Sequence, residues 1–468
     1  MQLGVIGLGT MGANLARNAA RNGAAVAIFN RTTEKTDAFM SEHKSEGPFV
    51  RAGTLKELTS ALKPPRPILL MVKAGEAVDQ MIHELLPLLT KGDIIIDAGN
   101  SHYRDTERRE KMLAEKGMRF LGMGVSGGEE GALKGPSIMP GGDRSAYDVL
   151  QPLLEKMAAS DGEGGRCVSY VGPGGSGHFV KMIHNGIEYA LMQLIAESYD
   201  LLKSEGLSNA DLAKTFSTWN AKGDLQSFLM EITASIFRAK DPEGGGDLID
   251  LIRDTAAQKG TGKWTTAAAM DYGFCIPTIN ASVDARILSS ALGSREGWRG
   301  APQEITAHPV QDWASGVKAA LELSSVVAYM QGFTLMGYAS QEEKWNLDLA
   351  ETARIWQGGC IIRSALLPVL SSAYSIDVAR AKKGKTAIRN RFVGEPQRAW
   401  RTVIAQGIQR GIPLPAMSAS LAFYDGMRRE KLPQNLVQAQ RDFFGAHTFE
   451  RIDRKGSFHV DWNSAVNG

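Results

Sequence analysis

The sequence predicts an α/β domain built on a doubly wound parallel sheet, followed by a large all-α domain with an internal duplication and a C-terminal tail. Three observations carry this. Residues 1–171 alternate short β-type runs with helical segments. A glycine turn separates the first two of those runs, and beyond Ser176 the strand pattern gives way to long amphipathic segments that continue to about Leu432. The expected strands are Gln2–Ile6, Ala25–Phe29, 68–72, Ile94–Asp97 and 120–123, with shorter additions at 138–140 and 167–171. Most are continuous apolar runs, as a sheet covered on both faces requires. The expected domains are 1–176, 177–434 and 435–468.

Composition limits the function classes. A chain of 468 residues, 43% of them hydrophobic, exceeds one ordinary core and implies two or three domains. Lys and Arg number 53 against 51 Asp and Glu. So even a balance gives no global basic field, and neither nucleic acid nor a membrane is expected as a partner. Cys167, Cys275 and Cys360 are far apart and form no CxxC, which argues against a disulfide framework or structural zinc and fits a reducing cytoplasm. The eight histidines form no HExxH or clustered pattern, so no metal is expected. Met1 passes directly into a strand without a charged leader, and no run approaches membrane-spanning length; a cytoplasmic location is expected.

Between the first two strands stands Gly7-Leu8-Gly9-Thr10-Met11-Gly12, with a helical pattern from Ala13 onward. Strand, glycine turn, helix and strand within about 30 residues place a dinucleotide pyrophosphate on a helix N-terminus, which makes the sheet Rossmann-type. After the second strand, NAD binders usually carry a carboxylate for the ribose 2′-hydroxyl. This chain has Asn30-Arg31-Thr32-Thr33 instead. A planar cation with hydrogen-bonding neighbours suits a 2′-phosphate, and therefore NADP.

In the helical region Lys181, His184, Asn185 and Glu188 fall on one stripe at helical spacing, among Val180, Met182, Ile183 and Ile187. Burying a lysine and a carboxylate costs several kcal/mol unless each is paired or used. A structural ion pair is the alternative. The duplication bears on the choice. Asn209, Asp211, Leu212, Ala213, Thr215, Trp219, Ser227 and Leu229 recur 137 residues later as Asn346, Asp348, Leu349, Ala350, Thr352, Trp356, Ser364 and Leu366. The repeat units span about 180–230 and 317–367. The same shift takes Val180-Lys181 to Val317-Lys318, but His184, Asn185 and Glu188 to Leu321, Glu322 and Ser325. A stripe kept in one copy only is a weak requirement of the scaffold.

Ligands of open parallel sheets gather beyond the carboxyl ends of strands. There the chain carries Val72-Lys73-Ala74-Gly75, Asp97 to Ser101 with Asn100, and Ser126-Gly127-Gly128. Gln258-Lys259-Gly260-Thr261-Gly262-Lys263-Trp264 lacks the strand and spacing of a nucleoside-triphosphate loop; Lys259 and Thr261 suit an anionic substrate, with solvated loop charges as the alternative.

Together these segments resemble the 6-phosphogluconate dehydrogenases, decarboxylating NADP enzymes of the pentose phosphate pathway within the β-hydroxyacid dehydrogenase superfamily. The resemblance rests on GLGTMG at 7–12, NRT at 30–32, MVKAG at 71–75, GNS at 99–101, GVSGGEEGA at 124–132, GHFVKMIHNGIEY at 177–189, QKGTGKW at 258–264, WQGGCIIRS at 356–364 and FFGAHTFE at 443–450. The family commonly has arginine where Gln357 stands and tyrosine where Phe444 and Phe449 stand. Shorter relatives such as 3-hydroxyisobutyrate dehydrogenase share the glycine turn, Ser126 to Gly128, Lys181 and Asn185, but not His184 with Glu188. The resemblance implies NADP contacts from Gly7 to Ala13, Asn30 to Thr32, Val72 to Ala74 and Asn100. It implies substrate contacts from Asn100, Ser126, Gly127, Gly128, His184, Asn185, Tyr189, Lys259, Thr261 and Arg286. It also implies a homodimer in which Arg441 and His447 reach the partner subunit's site.

The implied chemistry is oxidative decarboxylation of 6-phosphogluconate to ribulose 5-phosphate. Lys181 serves as base and then as acid, and Glu188 as the final acid. Lys181 then has to be neutral, which calls for burial and nearby cations to depress it. A non-decarboxylating β-hydroxyacid dehydrogenase and a dinucleotide-binding sensor without turnover are the competing readings.

Overall fold

In the computed structural model, which describes residues 1–301 and 312–467, seven strands join in one sheet of order β3-β2-β1-β4-β5-β6-β7. They are β1 (Gln2–Ile6), β2 (Ala25–Phe29), β3 (Phe49–Arg51), β4 (Pro67–Leu70), β5 (Ile94–Asp97), β6 (Arg119–Ser126) and β7 (Ser137–Gly142). The helices of this region are α1 (Thr10–Arg21), α2 (Thr33–His43), α3 (Leu55–Ser60), α4 (Glu76–Leu85), α5 (Tyr103–Glu115), α6 (Gly128–Lys134) and α7 (Arg144–Met157). Apolar clusters lie on both faces of the sheet: Val5, Val26 and Ile96 pack with α1 and α7 on one side, Ile6, Leu70 and Ile95 with α3, α4 and α5 on the other. Order reverses between β1 and β4, the switch point at which such sheets bind ligands.

Two expectations need correction. The sheet is not wholly parallel, because β7 runs antiparallel to β6; the short connection carrying α6 cannot make a parallel crossover, which takes a dozen or more residues. Residues 167–171 form no strand, only isolated bridges from Val168 to Ile138 and from Gly172 to Gly141. The sequence pattern also missed β3, a three-residue edge strand whose Val50 is exposed.

The helical part begins with α8 (Ser176–Lys203), whose N-terminal half lies directly on the sheet. Glycine makes that approach possible. A Cβ at Gly177 would stand 2.2 Å from the carbonyl oxygen of Gly122, and one at Gly124 would stand 2.4 Å from Cβ of Lys181. There follow α9 (Asn209–Asn220), α10 (Phe228–Ile236), α11 (Thr261–Asp271), α12 (Pro277–Ser290) and α13 (Leu292–Glu296). The second half comprises α14 (Trp313–Glu342), α15 (Leu349–Ile355), α16 (Leu367–Ala373), α17 (Val378–Arg391), α18 (Glu395–Gln409) and α19 (Pro415–Arg428).

The duplication is visible in three dimensions. α8 starts at 176 and α14 at 313, offset by the same 137 residues, and the two helices pack together. Ser227 bridges its own counterpart, Ser364. On either side Phe228 N–H donates to Arg363 O (3.2 Å) and Ala365 N–H to Gln226 O (2.9 Å), a reciprocal pair expected of two copies related by a local two-fold.

Residues Met1–Ser420 and Leu421–Gly468 separate into two compact units. The second contains α20 (Gln434–Gly445), β8 (Phe449–Glu450), β9 (Ser457–Phe458) and α21 (Trp462–Asn467). It is organised by the buried carboxylate of Asp442, which accepts from Thr448 N–H (2.8 Å) and Trp462 Nε1 (2.8 Å) and lies 3.0 Å from His459 Nδ1.

Candidate active site

The polar stripe of α8 is buried and closely interconnected. Lys181, His184 and Asn185 are all buried and Glu188 is half-buried. His184 is the hub: its Nδ1 lies 3.3 Å from Lys181 Nζ, 3.0 Å from Asn185 Oδ1 and 3.8 Å from Glu188 Oε2. Its Nε2 lies 2.9 Å from both Ser126 Oγ and Cys360 Sγ. Thus the end of β6, the middle of α8 and the loop between α15 and α16 converge on one imidazole, whose ring also meets Trp356 edge-on at 5.5 Å.

This burial shapes the protonation states. Desolvation lowers the Lys181 ammonium from its ordinary value, and the neighbouring Glu188 and Cys360 oppose it. The sequence-based expectation of helping cations is therefore corrected: burial accounts for the depression, and the titratable groups that act on Lys181 are the acids Glu188 and Cys360. His184 is held well below its usual value by burial and by Lys181. Burial raises the Glu188 carboxyl, against the pull of Lys181 and Arg286. Burial pushes the Cys360 thiol up to about 12, so it stays protonated. A lysine lowered and a carboxyl raised by burial are the shifts of groups poised for proton transfer, whereas a structural ion pair would show the opposite shifts.

Two helices extend the site along α8. Thr261, buried at the first position of α11, lies where Thr265 Oγ1 donates to Met182 O of α8 (3.0 Å). Arg286 of α12 lies over the Tyr189 ring at 3.4 Å and donates to Ala257 O (3.2 Å), which ties the loop carrying exposed Lys259 to the same region. Arg286 stands over Tyr189 and acts on the Glu188 carboxyl, while Ser126 meets the stripe at His184.

The glycine turn has the shape a dinucleotide needs. Gly7 adopts φ of +96°, and a Cβ there would stand 2.4 Å from Met71 O. A Cβ on Gly12 would fall 1.9 Å from Gly7 O, so the turn closes only with glycine at both positions. Gly9 has open space before it, and α1 has no side-chain cap on its first amides. Backbone donors and room therefore coincide at Leu8 to Ala13. Leu8 N–H donates to Asn30 Oδ1 (3.0 Å), which anchors the turn to the end of β2, where Arg31 and Thr32 are exposed. Beyond β4 and β5, Lys73 and Asn100 are exposed and Val72 and Ala74 half-buried.

Arg441 and His447 lie in the second unit, where Arg441 donates to Gln438 Oε1 (3.0 Å) and His447 meets the Phe444 ring edge-on. Sequence reasoning missed Cys360 as a partner of His184. It lies 176 residues from that histidine, and its only signal was membership of the WQGGCIIRS segment. Among the described residues no group of His, Cys, Asp or Glu is placed to hold a metal, and no helix is long and apolar enough to cross a membrane.

Two family models match: the NAD binding domain of 6-phosphogluconate dehydrogenase over residues 2–172, and the 6-phosphogluconate dehydrogenase C-terminal domain over residues 177–462. The chain belongs to the 6-phosphogluconate dehydrogenase family. It is 51% identical to the decarboxylating 6-phosphogluconate dehydrogenase of Synechococcus elongatus, across 98% of this chain and 99% of that one. It is 48% identical to the NADP(+)-dependent, decarboxylating 6-phosphogluconate dehydrogenase of Bacillus subtilis with the same coverage. The fold superposes on the Plasmodium falciparum 6-phosphogluconate dehydrogenase, described with its cofactor NADP+ and with its substrate 6-phosphogluconate. The TM-score there is 0.91 at 41% identity, covering 99% of this chain and all of the other.

Proposed function

We propose that this chain catalyses the oxidative decarboxylation of 6-phosphogluconate to ribulose 5-phosphate and carbon dioxide with reduction of NADP. The observation that carries the reading is the buried stripe in which His184 joins Lys181 (3.3 Å), Glu188 (3.8 Å) and Ser126 (2.9 Å), with burial lowering the lysine and raising the carboxyl. A base and an acid at one site are what alcohol oxidation followed by enediol protonation demand.

Gly7, Leu8, Gly9, Thr10, Met11, Gly12 and Ala13 would hold the pyrophosphate, Asn30, Arg31 and Thr32 the 2′-phosphate, and Val72, Lys73, Ala74 and Asn100 the far end of NADP. Once bound, NADP supplies the acceptor for the hydride of substrate C3. Lys181 takes the 3-hydroxyl proton, and a β-keto acid results. As an ammonium it then polarises the 3-keto oxygen and stabilises the negative charge that develops as carbon dioxide leaves, the role a cation plays in many decarboxylations. Lys181 gives its proton to that oxygen to form the enediol, and Glu188 then protonates C1 while Lys181 takes the hydroxyl proton back, leaving the ketone of ribulose 5-phosphate. Asn185 and His184, neutral and hydrogen-bonded, orient the sugar and Lys181.

Ser126 and the backbone amides at Gly127 and Gly128 suit the substrate carboxylate. Asn100 and Tyr189 would bind its hydroxyl and phosphate flanks. Lys259, Thr261 and Arg286 suit the phosphate, completed by Arg441 and His447 of a second copy in a homodimer. The three free cysteines fit a reducing, cytoplasmic setting. The deciding experiment supplies 6-phosphogluconate and NADP and measures both products. One carbon dioxide per NADPH is expected; NADPH without carbon dioxide would instead make the chain a non-decarboxylating β-hydroxyacid dehydrogenase.

A further inference from the structure

Arg109 of α5 is fully buried and used at every nitrogen. Its Nε and Nη2 grip Asp79 Oδ1 and Oδ2 (2.8 and 3.0 Å), and Nη2 also donates to Gly75 O (3.0 Å). Its Nη1 reaches Asp97 Oδ2 and Ser101 Oγ, both at 3.3 Å. Asp97, buried at the end of β5, accepts in turn from Ser101 Oγ (2.6 Å) and Gly99 N–H (3.1 Å). Asp79, near the start of α4, also holds exposed Arg108. One planar guanidinium therefore bolts the β4–α4 loop to the β5–α5 loop. Burying an arginine this completely is unfavourable unless its partners are fixed, so the arrangement makes the two loops one rigid body.

Those loops carry Val72, Lys73, Ala74 and Asn100. A dinucleotide whose 2′-phosphate sits beyond β2 crosses β1 at the glycine turn and ends beyond β4 and β5. Arg109 makes no hydrogen bond to the glycine turn or to Asn30, Arg31 or Thr32. We propose that Arg109 is a positioning residue for the nicotinamide half of NADP alone, acting through the two loops it joins. The proposal rests on the NADP reading above.

The test compares two nucleotides by calorimetry on the full chain: NADP, and adenosine 2′,5′-bisphosphate, which carries the 2′-phosphate but no nicotinamide. Arg109→Lys keeps the charge yet cannot reach both loops. It should weaken NADP about tenfold, the loss expected when a charge-assisted contact is broken, and change the bisphosphate less than about twofold. Equal weakening of both, or of neither, would overturn the proposal. Should Arg109→Lys fail to fold, Asp79→Asn opens the half-exposed side of the clamp; it should show the same selectivity at smaller size, and equal effects there also overturn it. Wild-type protein that bound neither nucleotide would overturn the NADP reading together with this one, whereas wild-type binding with unselective mutant loss overturns this one alone.

Discussion

A lysine nitrogen in contact with a histidine ring, inside a helix packed on a sheet, is costly, and the cost has a sign that can be measured. Folding leaves Lys181 depressed below its ordinary 10.5, so the unfolded chain binds the extra proton. The penalty is greatest at low pH and fades as pH approaches that ordinary value. Lys181→Met should therefore raise the melting temperature at neutral pH, keep NADP affinity and abolish turnover. Near-normal turnover would remove Lys181 as the base. Glu188→Gln should slow tritium exchange at C1 of ribulose 5-phosphate far more than it slows oxidation; unchanged exchange would exclude Glu188 as the acid. At Arg31, reversal to Glu should raise the Michaelis constant for NADP by about tenfold or more and leave that for NAD little changed, since only the 2′-phosphate is lost as a partner. An equal effect on both cofactors would refute that assignment.

At the scale of elements, one half of α8 lies on the sheet, and its far half holds a second buried acid. Glu197 accepts Ala416 N–H and Met417 N–H, each at 2.8 Å, at the N-terminus of α19. Burial raises its carboxyl to about 7. A group raised in the folded state adds stability below its ordinary value of 4.5, and that part is lost as pH climbs through about 7. Glu197→Gln should flatten this pH dependence of the urea midpoint. Glu197→Ala, which orphans two buried donors, should cost about 2 kcal/mol. The repeat itself was legible because eight identities share one register, and Ser227 with Ser364 shows why: each copy completes the other. By contrast the direction of β7 was not legible, since residue types along a strand do not record which way it runs, and β7 is antiparallel to β6. Likewise 167–171 looked like a strand by composition, but its backbone pairs at isolated points only.

For the whole molecule, the fold of the second unit around Asp442 leaves the apolar side chains of Phe443, Phe444 and Ile452 exposed. If Arg441 completes the partner's site, Lys181→Met and Arg441→Ala homodimers should each be nearly inactive. Subunits mixed and reassociated should recover activity, to roughly a quarter of wild type for random pairing, because each hybrid keeps one site with both residues intact. No recovery would place Arg441 in its own subunit's site, and an active Arg441→Ala homodimer would place it outside catalysis.

The alternation of strands and helices, the glycine turn and the polar row of α8 were legible in sequence alone, because glycine spacing and a polar row at helical period are local patterns. Only the tertiary structure decided the protonation bias of Lys181, the contact of His184 with Ser126 and Cys360, and the clamp made by Arg109. Each of these depends on burial and on residues brought together from distant parts of the chain, and no periodicity in a single segment records either.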